Sequence, residues 1–302
     1  MSLFSRSRGL LHIWMGFALI MAAPTRVFSS TQPDRAPSVS MAEPAIHKGK
    51  VEVEVFDTEE ILAVSLAKYI ADLSEKYTKE RGRFTVVLSG GSLIDSLRKL
   101  LEAPYVHSVD WSKWQVFWLD ERVVGLDSED SNYKLAYDGF LSKVPIPPGN
   151  VHAINGRLGA EGAAKEAAVD YEARLKHLVH TKVIDEHHPA GSPIFHLNLM
   201  GMGPDGHVAS LFPEHPQLHE KHRWITFVTD SPKPPPKRIT MTFPVINSSA
   251  NIAMVVTGTE QAHAVSVALG KANSPHVLPV QMVRPAPGEL TWFLDKAAAS
   301  QL

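Results

Sequence analysis

The 302-residue chain contains no cysteine. That removes disulfides, thiolate nucleophiles and thiolate-bound zinc together, and it weakens a secreted, oxidised setting. Net charge is also scarce: 30 Lys and Arg stand against 32 Asp and Glu, giving -2 at neutral pH. Nucleic acid usually requires a basic stripe, so no nucleic-acid partner is expected, and any grip on an anion must come from a few placed cations. No apolar run reaches the roughly 20 residues that span a bilayer. The stretch 10–23 falls short, so stable membrane insertion is not expected. Three signatures are missing as well. Without Gly-Lys-Ser/Thr there is no Walker loop, the glycine spacing fits no dinucleotide fingerprint, and no Gly-x-Ser-x-Gly elbow marks a serine hydrolase.

Acidic residues are absent from positions 1–33, where Arg6, Arg8 and Arg26 stand among serines. Acid-poor leaders of this kind read as organellar transit peptides, with a secretory signal or an unprocessed tail as rivals. Residues 29–50 look like a Pro/Ser/Lys linker, and Met41 offers an internal start. The division expected is a transit peptide and disordered linker over 1–45, then a single domain over 46–302. The last three residues, Ser300-Gln301-Leu302, approach a peroxisomal tripeptide with Gln where Lys is usual. Plastid, cytosol and peroxisome therefore all stay open.

Beyond the leader, 44% hydrophobic and 21% charged residues are ordinary globular usage. Val51-Glu52-Val53-Glu54-Val55 alternates as a strand does. Asp57 and Glu60 resemble a capping box before a helix that places Ile61, Leu62, Leu66, Ile70 and Leu73 on one face and ends at Arg81-Gly82. Apolar runs at 84–88, 114–119, 194–200 and 251–256 read as buried strands, with shorter candidates at 224–228, 238–243 and 290–294. Helical spacing covers 93–101, 133–141, 162–183 and 260–269, and 185–193 reads as a polar loop. Alternating strands and helices imply a largely parallel sheet covered on both faces, with ligands beyond the carboxyl ends of its strands.

Three polar clusters follow such strands. Ser89-Gly90-Gly91-Ser92 lets the backbone approach an anion and precedes a helix start. Asp120-Glu121-Arg122, followed by Ser131-Asn132-Tyr133, places an Arg fork where a phosphate would sit, although Asp120 and Glu121 could equally pin loops. Gly201-Met202-Gly203-Pro204-Asp205-Gly206-His207 ends in a His suited to base work near neutral pH, with Asp205 placed to orient it. A fourth segment, Lys233-Pro234-Pro235-Pro236-Lys237-Arg238, is stiff and basic, and on composition alone reads as an exposed linker. His215, His219 and His222 match no common metal spacing, so no metal is expected.

Together these segments resemble the 6-phosphogluconolactonase family, over about residues 50–296. The resemblance is most specific at 201–213, where the glycine loop runs on into Val208-Ala209-Ser210-Leu211-Phe212-Pro213. Asp120-Glu121-Arg122, Ser131-Asn132-Tyr133 and 233–240 match further family segments in order, and 288–295 is similar to plant-type members. The resemblance implies a three-layer α/β sandwich with a mostly parallel, doubly wound sheet, as in glucosamine-6-phosphate deaminase. It implies hydrolysis of 6-phosphoglucono-δ-lactone to 6-phosphogluconate, with no cofactor and with the sugar-phosphate lactone as the partner of a monomer or weak dimer. His207 would be the base and Asp205 its companion. Gly90, Gly91, Ser92, Asp120, Arg122, Asn132, Gly203, Lys233 and Arg238 would bind substrate or phosphate. Apart from the resemblance, nearby N–H groups of the glycine loop are expected to stabilise the oxyanion. One departure stands out: Leu93 and Ile94 occupy positions where the family has Thr-Pro. An amino-sugar-phosphate isomerase or deaminase is the alternative activity, though its loop continues toward Asn-Glu-Pro. A non-catalytic sugar-phosphate sensor is the other, but no helix-turn-helix precedes Val51.

Overall fold

The structure is a computed structural model that describes residues 49–187, 191–286 and 288–302. The leader, Met41 and nearly all of the linker lie outside the described residues. The strands are β1 (Val51–Phe56), β2 (Phe84–Leu88), β3 (Trp114–Trp118), β4 (Asp120–Arg122), β5 (Val151–His152), β6 (Asp185–Glu186), β7 (Pro193–Ile194), β8 (Leu197–Met200), β9 (Ile225–Val228), β10 (Arg238–Met241), β11 (Asn251–Val256) and β12 (Glu289–Asp295). Seven of them form one parallel sheet in the order β1-β12-β11-β8-β2-β3-β5. From β2 the chain winds outward through β3 to β5. It then returns to the other side of β2 and winds outward again through β8, β11 and β12. The winding direction reverses between β2 and β8, and that crevice is where open parallel sheets bind ligands.

Fully buried strands explain the apolar runs: all five residues of β2 and all six of β11 are buried. Leu62, Leu66 and Ile70 of the helix Glu59–Arg81 pack on one face with Val86, Val116 and Leu199. On the other face, Ala167, Tyr171 and Leu175 of the helix Ala164–His180 and Val265 of the helix Ala262–Ala268 cover Val87, Phe117 and Met254. These are the three layers that the alternation implied.

Several local expectations are corrected. Thr58, rather than Asp57, caps the first helix: its Oγ1 accepts from the Ile61 N–H at 3.2 Å, while Asp57 pairs with Lys296 at 2.7 Å. Ile61 is accordingly turned out of the apolar stripe and is 46% exposed. Residues 93–101 are not one continuous α-helix but a four-residue α-helix, Leu93–Ser96, followed by the 3₁₀ segment Arg98–Leu101. The tighter winding suits the spacing of three that separates Ile94, Leu97 and Leu100, all of them buried. The loop 185–193 contains the short antiparallel pair β6–β7. The single strand read at 194–200 is interrupted, because His196 and Thr85 exchange side-chain bonds in place of ladder bonds: the Thr85 N–H donates to His196 Nδ1 at 3.1 Å, and the His196 N–H donates to Thr85 Oγ1 at 2.9 Å. Asp120–Arg122 is itself a strand, paired antiparallel with β10 in a second sheet of order β4-β10-β9.

One buried group is left uncompensated. Asn198 of β8 is 0% exposed, and neither its Oδ1 nor its Nδ2 has a partner among the described residues. An unpaired buried amide costs about 1–3 kcal/mol. Asn198→Leu, similar in shape and apolar, is expected to raise the urea unfolding free energy by an amount of that order. A lower unfolding midpoint would show instead that the amide has a partner worth keeping.

Candidate active site

At the reversal point, the carboxyl ends of β2, β3, β8 and β11 surround a cleft of about 720 Å³ that is open to solvent. Nine of the residues expected from sequence line it: Gly90, Gly91, Ser92, Asp120, Arg122, Asn132, Gly203, His207 and Arg238. Asp205 and Lys233 are not among its lining residues but both contact His207 at Nδ1.

His207 Nδ1 lies 2.6 Å from Asp205 Oδ1. A carboxylate in that position fixes the tautomer with the proton on Nδ1, which leaves a lone pair on Nε2. Nε2 makes no hydrogen bond to the described residues. The ring is held from behind by Phe212, with ring centres 4.8 Å apart. Lys233 Nζ stands 3.5 Å from Asp205 Oδ1 and 3.4 Å from His207 Nδ1. Burial opposes the charge of Asp205, but the hydrogen bond from His207 and the electrostatic attraction of His207 and Lys233 outweigh it and hold the carboxyl well below the usual carboxylate range. Gly203 makes this arrangement possible: a Cβ there would lie 2.1 Å from His207 Cε1 and 2.2 Å from Nδ1.

The expected oxyanion donors are a different matter. The Gly203 N–H donates to the His207 carbonyl at 3.0 Å, Gly206 to the Gly203 carbonyl at 2.9 Å, and His207 to Asp205 Oδ1 at 3.4 Å. These three N–H groups shape the loop and are not available to a ligand.

Glu121 is 1% exposed and accepts the N–H groups of Arg122, Asn132 and Tyr133 at 2.7, 2.7 and 2.8 Å. It closes the N-terminus of the helix Asn132–Gly139, together with Ser131, whose Oγ accepts from the Lys134 N–H. Burial pushes the Glu121 carboxyl up to about 7, against the pull of those donors. Its role is to pin loops. Asn132 donates to the Asp120 carbonyl at 3.0 Å, and its Oδ1 presses against Gly90, where a Cβ would lie only 2.0 Å away. The Gly turn is thus seated on the helix start that Glu121 closes. Arg122 Nη1 donates to the Asp130 carbonyl at 2.7 Å, while its buried Nε has no partner among the described residues. The helix after Ser92 has only four residues, so the anion attraction expected from its dipole is small, and exposed backbone donors remain. Leu93 and Ile94, the departure from the family pattern, are both 2% exposed and belong to the core.

Arg238 is 4% exposed and clasps the proline segment rather than extending freely. Its Nε donates to the Pro235 carbonyl at 3.1 Å, and its Nη2 to the carbonyls of Lys233 and Pro234 at 2.9 and 3.1 Å. The basic segment 233–238 is therefore no loose linker, and the clasp anchors the backbone of Lys233, whose Nζ reaches the Asp205–His207 pair.

Sequence reasoning missed Thr257 and Gln261, which line the cleft beyond β11. The rule that found the other clusters, polar residues directly after a buried strand, applies to Thr257 as well. Ala209 was also missed; it lines the cleft with φ 53, an unusual value for a residue with a side chain. Among the described residues no group of three His, Asp or Glu is placed to hold a metal ion. His215 bonds instead to the Pro213 carbonyl at 3.0 Å.

A family model described as glucosamine-6-phosphate isomerases/6-phosphogluconolactonase matches residues 57–292. "Probable 6-phosphogluconolactonase 4, chloroplastic" of Oryza sativa subsp. indica is 63% identical over 252 residues, covering 83% of this chain and 76% of its own. "6-phosphogluconolactonase 3, chloroplastic" of Arabidopsis thaliana is 59% identical over 253 residues, with 84% and 76% covered. Among solved structures, the 6-phosphogluconolactonase of Thermotoga maritima is similar at TM-score 0.66 and 29% identity, covering 82% of this chain and 100% of that one. The chain belongs to the glucosamine-6-phosphate isomerase/6-phosphogluconolactonase family.

Proposed function

We propose that the protein hydrolyses 6-phosphoglucono-δ-lactone to 6-phosphogluconate. The observation that carries this reading is the Asp205–His207 pair, with Nε2 free of protein partners in a cleft that Arg122 also lines. Nε2 takes a proton from water as the water oxygen bonds to the lactone carbonyl carbon. The ring C–O bond then breaks, the departing ring oxygen takes the proton back from the imidazolium, and the open-chain acid is released. Asp205 keeps the imidazole in the working tautomer and stabilises its charged form, as the carboxylate does in other His-based sites. The Gly90-Gly91-Ser92 turn and Arg122 hold the phosphate, and this remote binding positions the carbonyl at His207. The relatives named above carry the same activity in their names. The continuation Ala209-Ser210-Leu211-Phe212-Pro213 favours the lactonase over the deaminase.

The test is direct. Purified protein is added to freshly made lactone, and acid release is followed against spontaneous hydrolysis; no acceleration would refute the proposal. Arg122→Ala is expected to raise KM by about tenfold or more, since a charge-assisted bond to an anion is worth roughly 1.5–3 kcal/mol. An unchanged KM would remove Arg122 from phosphate binding.

A plastid location is the compartment proposed. It rests on the acid-poor leader and on the chloroplastic names of the two relatives.

A further inference from the structure

Ser210 is absent from the mechanism above, yet it is 0% exposed and held on three sides. Its Oγ donates to Asp120 Oδ2 at 2.7 Å. The same Oγ accepts from Arg238 Nη1 at 3.4 Å, and the Ser210 N–H donates to Thr240 Oγ1 at 3.3 Å. Immediately before it, Ala209 adopts φ 53 in a turn closed by the Leu211 N–H on the Val208 carbonyl at 2.9 Å. A non-glycine residue held at positive φ costs energy that the surroundings must supply. Here the turn carries Ser210 inward to a carboxyl that lies 90 residues earlier in the chain.

Asp120 is the group this arrangement acts on. It is 6% exposed and lines the cleft. Oδ2 is occupied by Ser210, while Oδ1 makes no hydrogen bond to the described residues. With one oxygen tethered, the plane and rotation of the carboxylate are set, and the other oxygen becomes an acceptor of fixed direction. The Arg238 guanidinium, which donates to the same hydroxyl, polarises Ser210 and strengthens the bond that it donates. An acceptor of this kind in a cleft suits the hydroxyl of a polyhydroxylated ring.

We propose that Ser210 is a positioning residue, which links Arg238 to Asp120 and aims Asp120 Oδ1 at one ring hydroxyl of the substrate. The proposal deepens the lactonase reading and rests on it for the substrate class. It makes the selectivity of the cleft for one hydroxyl depend on a side chain that never touches the ligand.

The experiment compares wild type, Ser210→Ala and the near-isosteric Asp120→Asn on the phosphorylated lactone and on lactones that each lack one ring hydroxyl. kcat/KM is measured for each lactone, and Kd for the matching open-chain phosphorylated acids. Wild type is expected to discriminate against one deoxy compound by about tenfold or more, the worth of one hydrogen bond to a charged acceptor. Both variants should lose that discrimination while treating the remaining compounds alike, and the double variant should be no worse than Asp120→Asn. Loss of the same factor on every lactone would mean a merely structural serine and would overturn the proposal, as would full discrimination in Ser210→Ala. If Ser210→Ala fails to fold, retained discrimination in Asp120→Asn overturns it on its own. A wild type that binds the acids selectively but hydrolyses nothing would sink the lactonase reading and leave the positioning role standing on the Kd values.

Discussion

His207→Ala is expected to lower kcat for lactone hydrolysis by about 10²–10⁴-fold, the usual worth of a placed general base. Binding of the phosphorylated acid should remain nearly unchanged, because the residues proposed to hold the phosphate, the Gly90–Ser92 turn and Arg122, follow other strands. Initial rates of acid release, corrected for spontaneous hydrolysis, measure the first quantity, and calorimetric titration with the acid measures the second. Full activity in the variant would mean that another group activates water. The companion carboxylate adds a statement about pH. Its folded pKa is depressed, so the stability it contributes is present above the ordinary carboxylate pKa and is lost only as pH falls through the depressed value. Asp205 therefore stays charged throughout the neutral range, and a loss of activity on mild acidification is not its titration.

Gly203→Ala should cost about 10²-fold in kcat without unfolding the protein. The added methyl would sit 2.1 Å from His207 Cε1 and 2.7 Å from Asp205 Oδ1, so the imidazole, the carboxylate or both must move. Displacement of a reacting group by about 1 Å is enough for a loss of that size. The backbone need not rearrange, since Gly203 is not among the positive-φ glycines. A thermal midpoint close to that of wild type, alongside the loss of rate, would separate this effect from general destabilisation. Wild-type kcat in Gly203→Ala would mean that the pair tolerates being moved, and the role given to its geometry would fall.

Much of the site was legible because a parallel sheet collects its polar punctuation at one edge. Gly90, Asp120, Arg122 and His207 each follow a buried apolar run, and that position alone brings them to one cleft. Partner choice was harder to read. Nothing local tells that Thr58 rather than Asp57 caps the first helix, because both side chains can accept an N–H and the chain path decides between them. A three-residue strand such as β4 is too short to show a period, so its pairing with β10 was invisible. The Ser210–Asp120 bond spans 90 residues and leaves no mark on either segment. Three N–H groups of the glycine loop are bonded within it, which could not be read because glycine spacing reveals permissive backbone, not where each N–H is spent.

The small sheet β4-β10-β9 has a consequence for how the cleft works. β4 continues from the wing that winds outward through β3 and β5, whereas β9 and β10 come between β8 and β11 in the chain, which belong to the other wing. Their pairing is a staple across the seam where the two wings part. The first wing supplies the Gly turn, Arg122 and Asn132 to the cleft wall, the residues proposed to hold the ligand; the second supplies Gly203 and the proposed base, His207. Stapled in this way, the gripping half and the reacting half keep their spacing before any ligand arrives. Binding energy is then free to hold a ligand in place rather than to assemble the site.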